Sequence, residues 1–134
     1  MRSQVAEYPH DSTRALLSLL FAGSFAKYSD IRFIISHVGG TVPYLAGRII
    51  QMTRQQKDLP QVAPQGVEYE LKRLYYEIAN NASPPSMAAL MKLASPDRIL
   101  FGTDYPFVPM EATGDPLRAM ARENAMKLLP KWKA

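Results

Sequence analysis

The sequence predicts an α/β fold with a parallel sheet, and two observations carry that expectation. Three apolar runs, residues 31–36, 74–79 and 99–102, are nearly continuous rather than alternating, as in parallel strands covered on both faces. Between them lie segments with helical spacing of apolar residues, long enough for right-handed crossovers. The order is a helix followed by three strand–helix units. No other internal repeat and no low-complexity segment is present.

The first helix is expected to start at Asp11 or Ser12, either of which can cap it, and to carry Ala15, Leu16, Leu19 and Leu20 at helical spacing. Gly23 ends it, and residues 25–28 add a further turn. The strand over 31–36 runs into His37-Val38-Gly39-Gly40-Thr41. Helix signals resume after Pro43 and continue to about Lys57. Residues 59–66 read as a loop, and 67–72 as a helical turn. The strand over 74–79 ends at Asn80-Asn81, and Ser83-Pro84-Pro85 opens a helix carrying Met87, Leu90, Met91 and Leu93. Ser95-Pro96-Asp97 turns the chain into the strand over 99–102. That strand delivers Thr103 and Asp104 before Tyr105-Pro106 stops it. An irregular stretch after Pro109 precedes a last helix over about 117–129.

At 134 residues there is room for one domain with a real core and not for two ordinary ones. No apolar run approaches a membrane span of roughly 20 residues, so no membrane partner is expected. The N-terminal segment has no apolar signal region, and the absence of cysteine fits a reducing compartment; the cytoplasm is the expectation. The net charge of +4 is scattered, without the basic, aromatic-interleaved stripe of a nucleic-acid binder, so no nucleic acid is expected. No Gly-x-Gly-x-x-Gly run supports a Rossmann nucleotide site.

Two strand ends carry chemistry. Asp104 follows an apolar strand, where a carboxylate either caps the next turn or meets a metal, a cation or several donors. His37 follows its own strand in the same way, with Gly39-Gly40 allowing close approach of a ligand. A His and an Asp at one edge of a parallel sheet suit a metal or general acid/base site, although a His there also serves as a backbone-bonded turn residue. Glu77, inside the second strand, needs a partner and is expected to be structural, with Arg48 or Arg73 in that role. His10, before the first helix, is a weaker candidate ligand. Asn80 and Asn81 are turn residues or substrate donors.

Ser36-His37-Val38-Gly39-Gly40-Thr41-Val42-Pro43-Tyr44 with Arg48-Ile49, and Arg98-Ile99-Leu100-Phe101-Gly102-Thr103-Asp104-Tyr105-Pro106-Phe107, resemble the two hallmark segments of the amidohydrolase-related family. Asp11 to Ala15 and Arg122 to Pro130 add to the likeness, which is greatest to the aminocarboxymuconate-semialdehyde decarboxylase group and the aromatic-acid decarboxylases. The resemblance implies a (β/α)8 TIM barrel with a divalent metal, zinc or else manganese, at the carboxyl ends of its strands. It makes Asp104 the metal-ligating Asp of the final strand and His37 the strand-six His beside the metal. The implied reaction is decarboxylation, a carboxy-lyase step, on a small aromatic or unsaturated carboxylic acid, or hydrolysis as in relatives.

The departures are as informative. The family's His-x-His pair and its strand-five metal His are absent, the usual Asp is Glu77, and the segment between Pro109 and Leu117 is shorter than the family's. Three strands stand where a barrel of roughly 250 residues has eight. Residues 1–134 are therefore expected to be a carboxyl-terminal fragment of a barrel domain, close to inactive alone. With edges left open, the chain is expected to form a homo-oligomer or to associate with a chain supplying the rest of the barrel. The alternative is a non-catalytic barrel remnant or interaction module.

Overall fold

The computed structural model describes residues 3–107 and 115–132. Its centre is a three-stranded parallel sheet in the order β1-β2-β3, formed by Ile34–Ile35, Tyr75–Glu77 and Ile99–Leu100. The register pairs Ile34 with Tyr75 and Ile35 with Tyr76, then Tyr76 with Ile99 and Glu77 with Leu100. Hydrogen bonds beyond the strands lengthen the pairing, from the Tyr75 N–H to the Phe33 carbonyl (3.0 Å) and from the Ile78 N–H to the Leu100 carbonyl (3.1 Å). The α/β class and the parallel pairing are as the apolar runs predict; the sheet is open, not closed into a barrel.

Helices cover one face. α1 spans Ser3–Phe21 and α2 Ser24–Lys27; α3 spans Val42–Thr53, α4 Leu59–Val62, α5 Val67–Lys72, α6 Pro84–Leu93 and α7 Asp115–Leu128. Short 3₁₀ turns occupy His37–Gly39, Pro96–Arg98 and Pro130–Trp132. α3 and α6 pack on each other, and the core joins Val42, Leu71, Tyr76, Leu90 and Ile99, all fully buried. The Tyr76 hydroxyl donates to the Leu71 carbonyl at 2.8 Å, and burial pushes its phenol above the usual range. α7 is tied to β3 through Asn124, whose amide donates to the Ile99 (2.9 Å) and Pro96 (2.6 Å) carbonyls.

Four local expectations are corrected. α1 begins at Ser3, so Asp11 and Ser12 lie inside the helix, not at its cap, and Asp11 pairs with Arg14 instead. Pro9, which lacks the N–H a helix interior uses, is accommodated within α1, where the Thr13 hydroxyl donates to its carbonyl at 2.8 Å. The first strand is not buried on both faces: Ile34 is 47% exposed, on the face of the sheet that the helices leave open. Residues 59–66 are not all loop, since α4 forms a turn of helix there. Among the described residues Glu77 has no arginine partner: Arg73 pairs with buried Glu70 at 3.1 Å, and Arg48 is exposed. Ser83 caps α6 as expected, accepting the Ser86 N–H at 3.4 Å. The irregular stretch between Pro109 and α7 lies outside the described residues.

Candidate active site

Each strand ends in a residue that bends the backbone into the left-handed region. His37 follows β1 (φ 53°), Asn80 follows β2 (φ 57°) and Asp104 follows β3 (φ 58°). His, Asn and Asp are the non-glycine types that tolerate this region best. Buried, β-branched Val38 does not, yet holds φ 63° beside His37. Such strained positions, each costing about 1–3 kcal/mol, persist only where the surroundings over-determine them, and they cluster at functional sites.

The three strand-end residues line one open cleft of about 550 Å³ at the carboxyl edge of the sheet. This lies within the roughly 300–1,000 Å³ of small-molecule sites. Gln4, Tyr8 and Pro9 of α1 form another wall, and Phe107 a further part of the rim. α1 is held there by Thr13, whose hydroxyl accepts the Thr41 N–H at 2.9 Å and lies 2.9 Å from the Thr41 hydroxyl. Gly40, at φ 64°, lets the two segments meet, because a Cβ there would run into the Pro9 carbonyl.

His37 is fixed on several sides. Its Nδ1 lies 3.0 Å from the Ala79 carbonyl. A carbonyl only accepts, so Nδ1 carries the hydrogen and, in the neutral ring, Nε2 carries the lone pair. The His37 carbonyl accepts from the Asn81 amide at 3.1 Å, giving Asn81 a turn-holding part. The His37 N–H donates to Glu77 Oε2 at 3.3 Å. Asp104 sits at the start of a tight turn in which its own carbonyl accepts the Phe107 N–H at 2.8 Å and the Tyr105–Pro106 bond is cis. Among the described residues, no backbone N–H donates to the Asp104 carboxylate.

The structure thus brings His37 and Asp104 to one cleft. His10 is not among its lining residues and lies on an exposed position of α1. The α1 wall was missed by the sequence reading, because Pro9 and the capping types at Asp11 and Ser12 point to a later helix start. The one available signal was Tyr8-Pro9 beside the family-like lead segment.

A parallel sheet with a cleft at the carboxyl ends of its strands, lined by strand-end side chains, is the arrangement in which α/β folds, barrels and open sheets alike, place ligands. The chain belongs to the amidohydrolase family, whose family model matches residues 6–134. It is 32% identical over 106 residues to 6-methylsalicylic acid decarboxylase of Penicillium expansum, a match covering 79% of this chain and 33% of that protein. Other relatives include a gamma-resorcylate decarboxylase and a 2-amino-3-carboxymuconate-6-semialdehyde decarboxylase. Among solved structures, an amidohydrolase II matches with a TM-score of 0.79 at 26% identity, over 97% of this chain and 45% of that one. A dihydroxybenzoic acid decarboxylase from Polaromonas, solved with manganese and 2-nitroresorcinol, matches in fold with a TM-score of 0.78 at 22% identity, over 96% of this chain and 42% of that one. The chain spans between a quarter and just under half of the length of the proteins it matches. The fold is accordingly part of a TIM barrel.

A divalent metal is implied by this fold family, and the donors present fit it in kind: an imidazole nitrogen with a free lone pair and a carboxylate. They fall short in number. Among the described residues no group of three or more His, Cys, Asp or Glu could hold a metal ion, whereas a catalytic site uses about three protein ligands. Among the described residues no helix is long and apolar enough to cross a membrane.

Proposed function

We propose that this chain carries part of the active site of a metal-dependent decarboxylase, or of a hydrolase of the same family, acting on a small aromatic or unsaturated carboxylic acid. The observation that supports it most is the placement of His37 and Asp104 at the ends of β1 and β3, over one cleft, in a chain whose relatives are decarboxylases. Asp104 is this chain's contribution to a divalent metal, manganese or zinc, with His37 beside it. Loss of carbon dioxide leaves an electron pair on carbon, to which a proton must be delivered. His37 Nε2, which carries a lone pair in the neutral ring, is the atom placed to take up a proton from solvent and pass it to that carbon, because Nδ1 is already tied to backbone. The remaining ligands and strands come from further sequence or a second chain, and the 134 residues alone are close to inactive.

Calorimetry with manganese and zinc on metal-stripped protein, with Asp104→Ala as control, tests this. Weak binding that the substitution abolishes is expected. Binding indifferent to the substitution would remove Asp104 from the site. A purified chain that turned over a hydroxybenzoate at an enzyme-like rate would overturn the claim of incompleteness.

The second reading, a non-catalytic module that docks on a barrel partner, is favoured by the exposure of Ile34 on the open edge strand. An upstream coding region with a His-x-His segment would favour the enzyme, and its absence the module.

A further inference from the structure

We infer that Glu77 is a positioning residue for His37, holding it in the one tautomer that leaves Nε2 facing chemistry rather than backbone. The inference rests on His37 being the group that works at Nε2, and it adds a residue to which the site's chemistry does not otherwise point. Glu77 sits at the end of β2, between the strands that deliver His37 and Asp104. Its two carboxylate oxygens go to two different backbone amides: Oε2 accepts the His37 N–H at 3.3 Å, and Oε1 accepts the Ala79 N–H. Those two residues are the ones joined by the bond from His37 Nδ1 to the Ala79 carbonyl, at 3.0 Å.

One carboxylate therefore grips both ends of the hydrogen bond that sets the ring. Movement of either backbone would lengthen that bond, and the ring would then be free to exchange its hydrogen to Nε2. His37 stands at φ 53°, a conformation that needs such restraint. The third strand makes room for the clamp. Gly102 follows β3 against Glu77, and a Cβ there would run into the Glu77 carboxylate. An acidic side chain with acceptors only suits a place where two backbone N–H groups converge on it. An arginine partner, expected from sequence, would have drawn the carboxylate away from the two amides.

The test is the tautomer of His37, read from nitrogen–proton correlation spectra of the imidazole rings of the full chain, without metal or substrate, at a pH where neutral rings dominate. The sequence has two histidines, so exposed His10 supplies an internal reference for a ring averaging between tautomers. Wild-type His37 is expected with the hydrogen on Nδ1 alone. Glu77→Ala, and Gly102→Ala, which keeps Glu77 but crowds its carboxylate, are expected to shift His37 toward the averaged spectrum of His10. Glu77→Gln, which can accept only one of the two N–H groups, should fall between.

A wild-type ring protonated at Nε2 would overturn the inference, whatever the variants do. So would any of the three variants that folds, by circular dichroism, with His37 still held wholly in the Nδ1–H form. Because no metal or substrate enters the measurement, its failure is distinct from failure of the decarboxylase reading.

Discussion

The two faces of the sheet differ in how much of their environment this chain provides. Side chains alternate along a strand, so the register puts Ile35, Tyr76 and Ile99 on one face and Ile34, Tyr75, Glu77 and Leu100 on the other. The first face is closed over β2 and β3, with Ile35 of β1 half-buried. Tyr76 and Ile99 have no exposed surface, and the helices between the strands seal them. On the second face Leu100 is buried, but Ile34 is 47% exposed and Tyr75 and Glu77 are only half-buried. The helix-covered face behaves as a core complete within 134 residues. The opposite face corresponds to the interior of a closed barrel, and this chain brings only part of the wall.

That contrast sets unequal costs for substitution. Tyr76→Ala should be the most damaging, costing about 3–5 kcal/mol in urea denaturation, a large part of a small domain's margin. A loss below about 1 kcal/mol would mean that the helix-covered face is not the core. Thr13→Val should come next. It leaves the Thr41 N–H without its partner and removes the hydroxyl's bond to the Pro9 carbonyl, at about 1–2 kcal/mol. Faster hydrogen exchange at Thr41 would show α1 loosening from the cleft. On the unfinished face, Ile34→Lys should change the stability of the dilute chain by no more than about 0.5 kcal/mol.

The smallest expected effect lies on α5, where the Lys72 ammonium hydrogen-bonds the exposed Glu68 carboxylate at 2.7 Å and holds its carboxyl below the usual range. A lowered folded pKa means stability that is present above the unfolded pKa and is lost as pH falls through the folded one. Glu68→Gln should therefore flatten the acid limb of the stability profile slightly between about pH 5 and pH 3, and only slightly because water screens the pair.

The same contrast explains what the sequence disclosed. The apolar runs ending in Ala79 and Gly102 marked their strands because one face is buried and the other partly covered, which leaves few polar positions. His37 and Asp104 were visible because strand-end polar residues stand out against such runs. The run over 31–36 misled: its apolar residues answer to burial that the described chain does not itself provide. The start of α1 was hidden because local capping types at Asp11 and Ser12 outweigh, in one dimension, the packing of Pro9 under Gly40. The partners of Glu77 were equally hidden. Ion-pair reasoning looks for arginines, while the structure satisfies the carboxylate with two backbone amides from different strand ends.

If the exposed face and the half-set of donors belong to a larger closed structure, sedimentation equilibrium of the intact chain will show concentration-dependent association that Ile34→Lys weakens. A wild-type chain that stays monomeric and well folded across the accessible concentration range would contradict it.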